Sequence, residues 1–144
     1  MDIDIWQLTP WDELDMVLRL VIAALLGGIV GIEREHAEKP AGLRTLLLVC
    51  TGSALFTIAS IYGFGGASDA ARVAAGIVAG IGFLGAGTIL RSERGVVGIT
   101  TAATIWTVAA IGLAVGAGLY LVAIVTTVIA LIALRLLAPP RAND

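Results

Sequence analysis

The sequence predicts an all-α protein, a polytopic transmembrane helical bundle of about five spans. Of its 144 residues, 58% are hydrophobic and 14% are charged, and the mean hydropathy is +0.99, which is more apolar surface than a soluble domain of this size can bury. The uncharged segment 76–90, GIVAGIGFLGAGTIL, contains five glycines. Each interior glycine costs a helix in water roughly 1 kcal/mol relative to alanine, whereas in a bilayer an apolar segment has to be helical to satisfy its backbone hydrogen bonds. The segment therefore predicts a membrane helix whose small residues let neighbouring helices approach closely.

The first two predicted spans cover residues 16–32 and 43–62, and a spanning helix needs about 20 residues. The chain begins with the acidic stretch MDIDIWQLTPWDELD, which differs from the basic start of a signal peptide. Arg19 lies near the start of the first span, where its side chain can reach the interface or pair with Asp15 four residues earlier. Arg19 is therefore compatible with a first span at this position.

The remaining spans are predicted at residues 70–90, 97–115 and 118–136. The uncharged stretch 95–134 is forty residues long, too long for one span at about 1.5 Å per residue. The expected turn within it is marked by three glycines, Gly112, Gly116 and Gly118. The whole chain, residues 1–144, is expected to form a single transmembrane domain with no C-terminal soluble domain.

The basic residues predict the orientation of this bundle. Seven of the nine lysines and arginines fall on one side of the predicted spans, and two fall on the other. Because lysine and arginine are enriched in cytoplasmic loops, the N-terminus is expected outside and the C-terminus in the cytoplasm. The seven are Arg34, Lys39, Arg44, Arg91, Arg94, Arg135 and Arg141, and the two are Arg19 and Arg72.

The first loop contains the densest group of charged residues. Glu33, Arg34 and Glu35 come where the first span ends, and Arg44 comes where the second begins. The loop between them is short and contains proline and glycine, so Arg44 is predicted within ion-pair reach of Glu33 or Glu35. These residues are either ordinary interface anchors or a structured polar cluster that binds a partner or ligand.

Two further loops carry candidate functional residues. Asp69 and Arg72 flank the start of the third span, where capping of the helix is the alternative to a functional role. Arg91 precedes the fourth span, and Thr100 and Thr101 begin it. Together with Glu93 and Thr104 they can line a polar pocket, or the hydroxyls can serve helix packing by hydrogen bonding.

The glycines of the third span divide into two stripes. Gly76, Gly80 and Gly87 share one side of a helix with 3.6 residues per turn, and Gly82 and Gly85 share another. The stripes are predicted to face different neighbours, one within the fold and one in a partner or second copy.

Motifs for enzyme chemistry do not occur in the sequence. It lacks a metal-spaced cluster of His, Cys, Asp and Glu, a GxxxxGK phosphate loop and a GxSxG nucleophile motif. Neither enzyme activity nor a cofactor, metal site or nucleic-acid partner is expected. Every Asp and Glu is predicted near an interface, which weakens an ion path through one subunit but leaves open a pore of backbone carbonyls at the third span.

Six features of the sequence occur in order: GGIVGIERE (27–35), AGLRT (41–45), the pair Asp69 and Arg72, GIGFLGAGTILR (80–91), GITTAATIW (98–106) and AIGLAVGAGLY (110–120). Together they resemble the MgtC/SapB family of bacterial membrane proteins over residues 24–137. The resemblance implies a polytopic inner-membrane protein of about five spans, linked to magnesium limitation, acid stress, virulence and growth inside host phagocytes. It also implies regulation of other membrane proteins, including F-type ATP synthase, in place of Mg²⁺ transport.

The leading hypothesis is a non-enzymatic membrane regulator, surrounded by lipid, that acts through helix–helix contact with other membrane proteins. A second copy of the chain is also a candidate partner. One alternative is a small oligomeric ion channel or transporter, with Mg²⁺ as the candidate ion. Another is a purely structural subunit of a larger complex.

Overall fold

The computed structural model describes residues 9–63, 67–92 and 95–136. Within these ranges the chain forms an all-α bundle of five helices, which overlap the five predicted spans. The helices are α1 (Pro10–His36), α2 (Leu43–Gly63), α3 (Ala67–Ala86), α4 (Ile99–Gly116) and α5 (Tyr120–Leu136). A short antiparallel hairpin of β1 (Leu90–Ser92) and β2 (Gly95–Val97) lies between α3 and α4, with Leu90 paired to Val97. The hairpin was not predicted, since this stretch was assigned to the end of a span and a loop.

Three of the helices, α1, α2 and α4, are long and apolar enough to cross a membrane. The apolar helical segments 70–86 and 120–136 are shorter. At about 1.5 Å per residue, the 17 residues of α5 extend about 25 Å, against a hydrocarbon core of about 30 Å. Such a helix fits if the bilayer thins locally or flanking side chains reach outward, at a modest cost in free energy.

Helix α1 begins six residues before the predicted span, because a capping box starts it. The Thr9 amide donates to Asp12 Oδ2 at 2.9 Å, and the Asp12 amide donates to Thr9 Oγ1 at 3.4 Å. Pro10 follows the cap, at a position where its fixed φ suits a helix and its missing amide hydrogen is not needed. Residues 10–15 are therefore continuous with the spanning helix.

Helix α1 packs against α2 through glycine. A Cβ added at Gly27 would lie 2.5 Å from the Cβ of Cys50, and one at Gly31 would lie 2.6 Å from the Cα of Leu43. These distances are too short for real side chains. Leu46 and Cys50 of α2 are fully buried, so the two backbones meet with little but glycine between them, as small residues permit in membrane proteins.

Helix α4 also packs against α2 through glycines. A Cβ added at Gly112 would overlap the carbonyl oxygen of Cys50, and one at Gly116 would lie 2.7 Å from the carbonyl oxygen of Ala54. Of the three glycines predicted to mark a turn, Gly112 does not, because it lies within α4, and Gly116 is the last residue of that helix. The chain turns after them, at Gly118, whose φ of 80° suits a residue without a Cβ.

Candidate functional site

The helices alternate in direction, so the polar residues fall at two ends of the bundle. Gly31 lies beside Leu43, and Gly85 lies beside Ala102, so the ends of α1 and α3 share one end with the starts of α2 and α4. This end is called the first-loop end. The opposite end holds the starts of α1, α3 and α5.

The nine candidate polar residues therefore do not form a single cluster. Asp69 and Arg72 lie in the first turns of α3, at the end opposite to the other seven. The seven at the first-loop end are Glu33, Arg34, Glu35, Arg44, Arg91, Thr100 and Thr101.

A buried ion pair occupies the last turns of α1. Arg34 Nε lies 2.6 Å from Glu33 Oε2, and Arg34 Nη2 lies 3.1 Å from Glu33 Oε1. The two residues are only 4% and 6% exposed. The guanidinium fork meets both carboxylate oxygens, which is the geometry that gives such pairs their strength and direction, and each charge neutralises the other away from water.

The side chain of Glu35 binds the start of α2 and does not pair with an arginine. Its Oε2 accepts the backbone amide of Leu43 at 2.9 Å. The first amides of a helix have no partner within the helix, and a negative charge there suits the helix dipole. The carboxylate of Glu35 therefore acts across the loop as a cap for α2.

The predicted pairing of Arg44 with Glu33 or Glu35 is wrong. Arg44 is exposed and forms no ion pair with either carboxylate. Glu33 is already bound by its neighbour Arg34, and Glu35 is already bound by an amide. Arg44 is consequently an exposed charge at the first-loop end that forms no ion pair with any described residue.

Three buried threonines of the bundle satisfy their hydroxyls within their own helices. The hydroxyls of Thr57, Thr104 and Thr127 are each 2.8 Å from the carbonyl oxygen four residues earlier, to which they donate. Thr101 is buried, whereas Thr100 and Arg91 are exposed. Glu93 of the predicted pocket lies outside the described residues. Its described members, Arg91, Thr100, Thr101 and Thr104, do not form an enclosed site, and the bonded hydroxyls present mostly carbon to their neighbours.

The opposite end contains a cluster that sequence reasoning identified only in part. Arg19 was expected either to reach the interface or to pair with Asp15. The structure shows the ion pair, with Nη2 2.6 Å from Asp15 Oδ2. Arg19 Nη1 also donates to the carbonyl oxygen of Gly116 at 2.8 Å, at the end of α4 where the helix dipole favours a cation. Tyr120 and Tyr62 complete the cluster, the first 3.4 Å from Asp15 Oδ1 and the second with its ring centre 5.7 Å from the guanidinium carbon of Arg19. The signal for it was an arginine inside an apolar run together with tyrosines at the ends of two other spans.

The glycines of α3 differ from those of α1 and α4. A Cβ at Gly85 would lie 3.6 Å from Ala102 of α4, whereas at Gly76, Gly80 or Gly82 it would meet nothing within 4 Å. At the remaining position, Gly87, the nearest atom beyond its immediate neighbours would be the carbonyl oxygen of Leu84 at 3.3 Å. The structure thus shows an interhelical contact at Gly85, and the rest of the two-stripe prediction concerns contacts outside the chain.

One side of α3 borders an open groove against α2, which we call the α2–α3 groove. It has a volume of about 660 Å³. Gly76 and Gly80 line it from α3, and Gly52 and Phe56 line it from α2. A smaller pocket of about 160 Å³ adjoins it at the first-loop end and shares Val49 and Leu84 with it.

A second side of α3, which we call the outer face, is exposed and built from small residues. They are spaced three or four apart, so they lie on one side of the helix. The outer face consists of Ala71, Ala75, Ala79, Gly82 and Ala86. Next to it, Phe83 is 81% exposed.

The all-α fold and its apolar helices define a membrane protein, with charge pairs at the two ends of a glycine-packed helical bundle. The chain belongs to the MgtC family, whose model matches residues 20–142. The resemblance drawn from the sequence blocks is thereby confirmed.

Three curated relatives show the degree of similarity. The Escherichia coli (strain K12) protein named "Putative magnesium transporter YhiD" is 44% identical over 84% of this chain and 60% of its own length. Protein SapB of Bacillus subtilis is 41% identical over 92% of this chain and 59% of its own length. Protein MgtC of Salmonella typhimurium is 46% identical over 81% of this chain and 50% of its own length. The chain thus spans about half to three-fifths of these relatives, and no solved structure matches it.

Proposed function

We propose that this chain is a non-enzymatic regulatory protein of the bacterial inner membrane, with several spans, that docks the outer face of α3 onto a helix of another membrane protein. The observation that carries the proposal is the exposure of this face. Lipid tails are as apolar as leucine, so helices associate in a bilayer through close packing and not through the hydrophobic effect. A helix whose exposed side is alanine and glycine is suited to such contact.

The resemblance to the family supports the conditions and the partner of this proposed function. The resemblance to MgtC/SapB proteins points to magnesium limitation, acid stress or intracellular survival as the conditions, and to F-type ATP synthase as a candidate partner. The predicted orientation, with the N-terminus outside and the C-terminus in the cytoplasm, would put the first-loop end at the cytoplasmic surface.

We expect a photo-crosslinker at Ala79, on the outer face, to capture subunits of F-type ATP synthase in cells grown at low magnesium. The matched control is the same crosslinker at Ala133, an exposed alanine of α5. Gly82→Leu should reduce the Ala79 crosslinks at least tenfold, because leucine holds the two backbones apart. Equal capture from Ala79 and Ala133, or capture that Gly82→Leu leaves unchanged, would contradict docking through this face.

The alternative function is a small oligomeric ion channel or transporter, and the name of the Escherichia coli relative favours Mg²⁺ as its ion. Mg²⁺ requires oxygen ligands at about 2.1 Å or a path for the hydrated ion. Among the described residues, each Asp and Glu lies in the first two turns of a helix, in its last turn or in the first loop. The described helices therefore offer no carboxylate ligand at mid-membrane.

We expect liposomes containing the purified protein to take up no more Mg²⁺ than empty liposomes. An Mg²⁺-sensitive dye enclosed in the vesicles measures the uptake, and an ionophore confirms that the dye responds. Saturable uptake that depends on the protein would favour the transporter and contradict the regulatory proposal.

A further inference from the structure

We propose that the α2–α3 groove binds an acyl chain of an anionic phospholipid, whose headgroup lies on the arginine and lysine side chains of the first-loop end. The site is separate from the outer face of α3, and it does not depend on the proposed regulatory function. The argument rests on the size of the groove, its lining and the charge at one end of it.

The size of the groove admits an acyl chain. It runs along α2 from Leu48 to Phe56, a rise of about 12 Å at 1.5 Å per residue, and has a volume of about 660 Å³. The groove is about four times the roughly 150 Å³ cavity that holds a benzene molecule, so a flexible hydrocarbon chain fits.

The lining of the groove also suits hydrocarbon. Its walls are apolar side chains, among them Val73, Ile77 and Ile81. Gly52 faces α3 and Gly80 faces α2. Neither glycine contacts the other helix, since a Cβ added at either would meet nothing within 4 Å. In a bilayer such a space does not stay empty, and a lipid chain is the apolar group at hand.

The smaller pocket continues the groove towards the headgroup region. It lies between Thr45 of α2 and Thr88, which follows α3, under the first loop at Pro40. The Thr88 hydroxyl donates to the carbonyl oxygen of Gly85 at 2.8 Å. The pocket thus connects an apolar groove to a more polar rim.

Three cationic residues adjoin this rim. Arg44 precedes Thr45 and lies one helical turn before Leu48, which puts it on the side of α2 that borders the groove. Lys39 precedes Pro40, and Arg91 follows Thr88 by three residues. The three residues, Lys39, Arg44 and Arg91, are exposed.

The acidic residues of the first loop offset two of these three positive charges. Glu33 is neutralised by Arg34, whereas Glu35 and Glu38 keep their negative charges, since the Leu43 amide that Glu35 accepts is uncharged. Lys39, Arg44 and Arg91 together with Glu35 and Glu38 thus leave a net charge of +1. Glu38 is exposed beside Lys39, and neither Lys39 nor Arg44 forms an ion pair with a described residue. A phosphate with a net negative charge therefore complements the rim better than a zwitterionic headgroup does.

The test is native mass spectrometry of the whole purified protein in detergent, titrated with palmitoyl-oleoyl phosphatidylglycerol and, separately, with the phosphatidylcholine of the same chains. We expect the phosphatidylglycerol to bind at least fivefold more tightly. Arg44→Gln should weaken its binding about fivefold, the effect of one basic residue near an anionic surface. Gly52→Leu should remove the tight binding of both lipids, because leucine fills the groove.

Matched controls keep this test specific. Arg135→Gln removes an exposed arginine of α5, and Gly82→Leu adds the same side chain on the outer face; both should leave lipid binding unchanged. Gly82→Leu should reduce crosslinking to a partner, whereas Gly52→Leu should not, so the two proposals fail separately. Thermal unfolding of each variant confirms that it is folded.

Three results would overturn the lipid site. The first is equal affinity for the two lipids in the unmodified protein. The second is tight phosphatidylglycerol binding that survives both Arg44→Gln and Gly52→Leu. The third is a loss of dimer mass in Gly52→Leu without a change in lipid binding, which would place a second copy of the chain in the groove.

Discussion

Replacing Gly112 with alanine is expected to destabilise the bundle by more than about 3 kcal/mol. Overpacking a core with extra carbon atoms costs about 1–3 kcal/mol when the surroundings can shift. Here the added Cβ overlaps the carbonyl oxygen of Cys50, and that oxygen belongs to the backbone of α2 and cannot move alone. The two helices would have to separate along their length, so we expect a low yield in membranes and a lower midpoint of thermal unfolding in detergent.

Gly52→Ala is the matched control for this prediction. It makes the same change in α2, the helix that Gly112 contacts, but at a position where a Cβ meets nothing within 4 Å. Alanine is the better helix former by about 1 kcal/mol, so this variant should be neutral or more stable. Equal melting temperatures for the two variants would show that the helices are not held at the separation described.

The contrast between Gly112 and the glycines of α3 shows what glycine spacing reveals and what it leaves out. The segment with the most glycines predicted the closest packing, yet Gly27, Gly31, Gly112 and Gly116 make the closest contacts between helices. The spacing of glycines shows that one side of a helix carries small residues. It does not show whether that side faces another helix of the same chain, a partner or lipid, because this depends on how the helices are arranged.

The helices themselves were predictable, because an apolar segment in a bilayer has one way to satisfy its backbone. The hairpin was not, since three-residue strands carry no periodic pattern. The glycines beside it, Gly95 and Gly98, have φ of 119° and 92°, and many conformations allow such values at glycine. Hydropathy also placed the start of the first span at residue 16, whereas the capping signal at Thr9 and Asp12 extends the helix outward from there.

The sequence predicted where the charged residues of the first loop lie, but not which of them form the ion pair. The short loop with proline and glycine predicted Arg44 as the partner of Glu33 or Glu35, although Arg34 is adjacent to both in the sequence. The arginine side chain is long enough to bend back to its neighbour, and burial of both groups makes that contact the favoured one. Sequence spacing alone does not include this flexibility.

Arg34→Met is expected to destabilise the protein by about 3–5 kcal/mol, the usual cost of leaving one member of a buried ion pair without its partner. Glu33 is only 6% exposed, so its charge would have neither a partner nor full access to water. The same substitution at Arg44, which is exposed, should change the midpoint of thermal unfolding in detergent very little.

The double variant Glu33→Gln with Arg34→Met separates charge from packing. If the unpaired carboxylate causes the loss, removing its charge should recover most of the stability, because an ion pair replaced by neutral groups of similar size is often no less stable than the pair. If the double variant is as unstable as Arg34→Met, the loss comes from the packing of the arginine side chain. If Arg34→Met melts like Arg44→Met, then Glu33 reaches water or another cation, and the pair does not stabilise the end of α1.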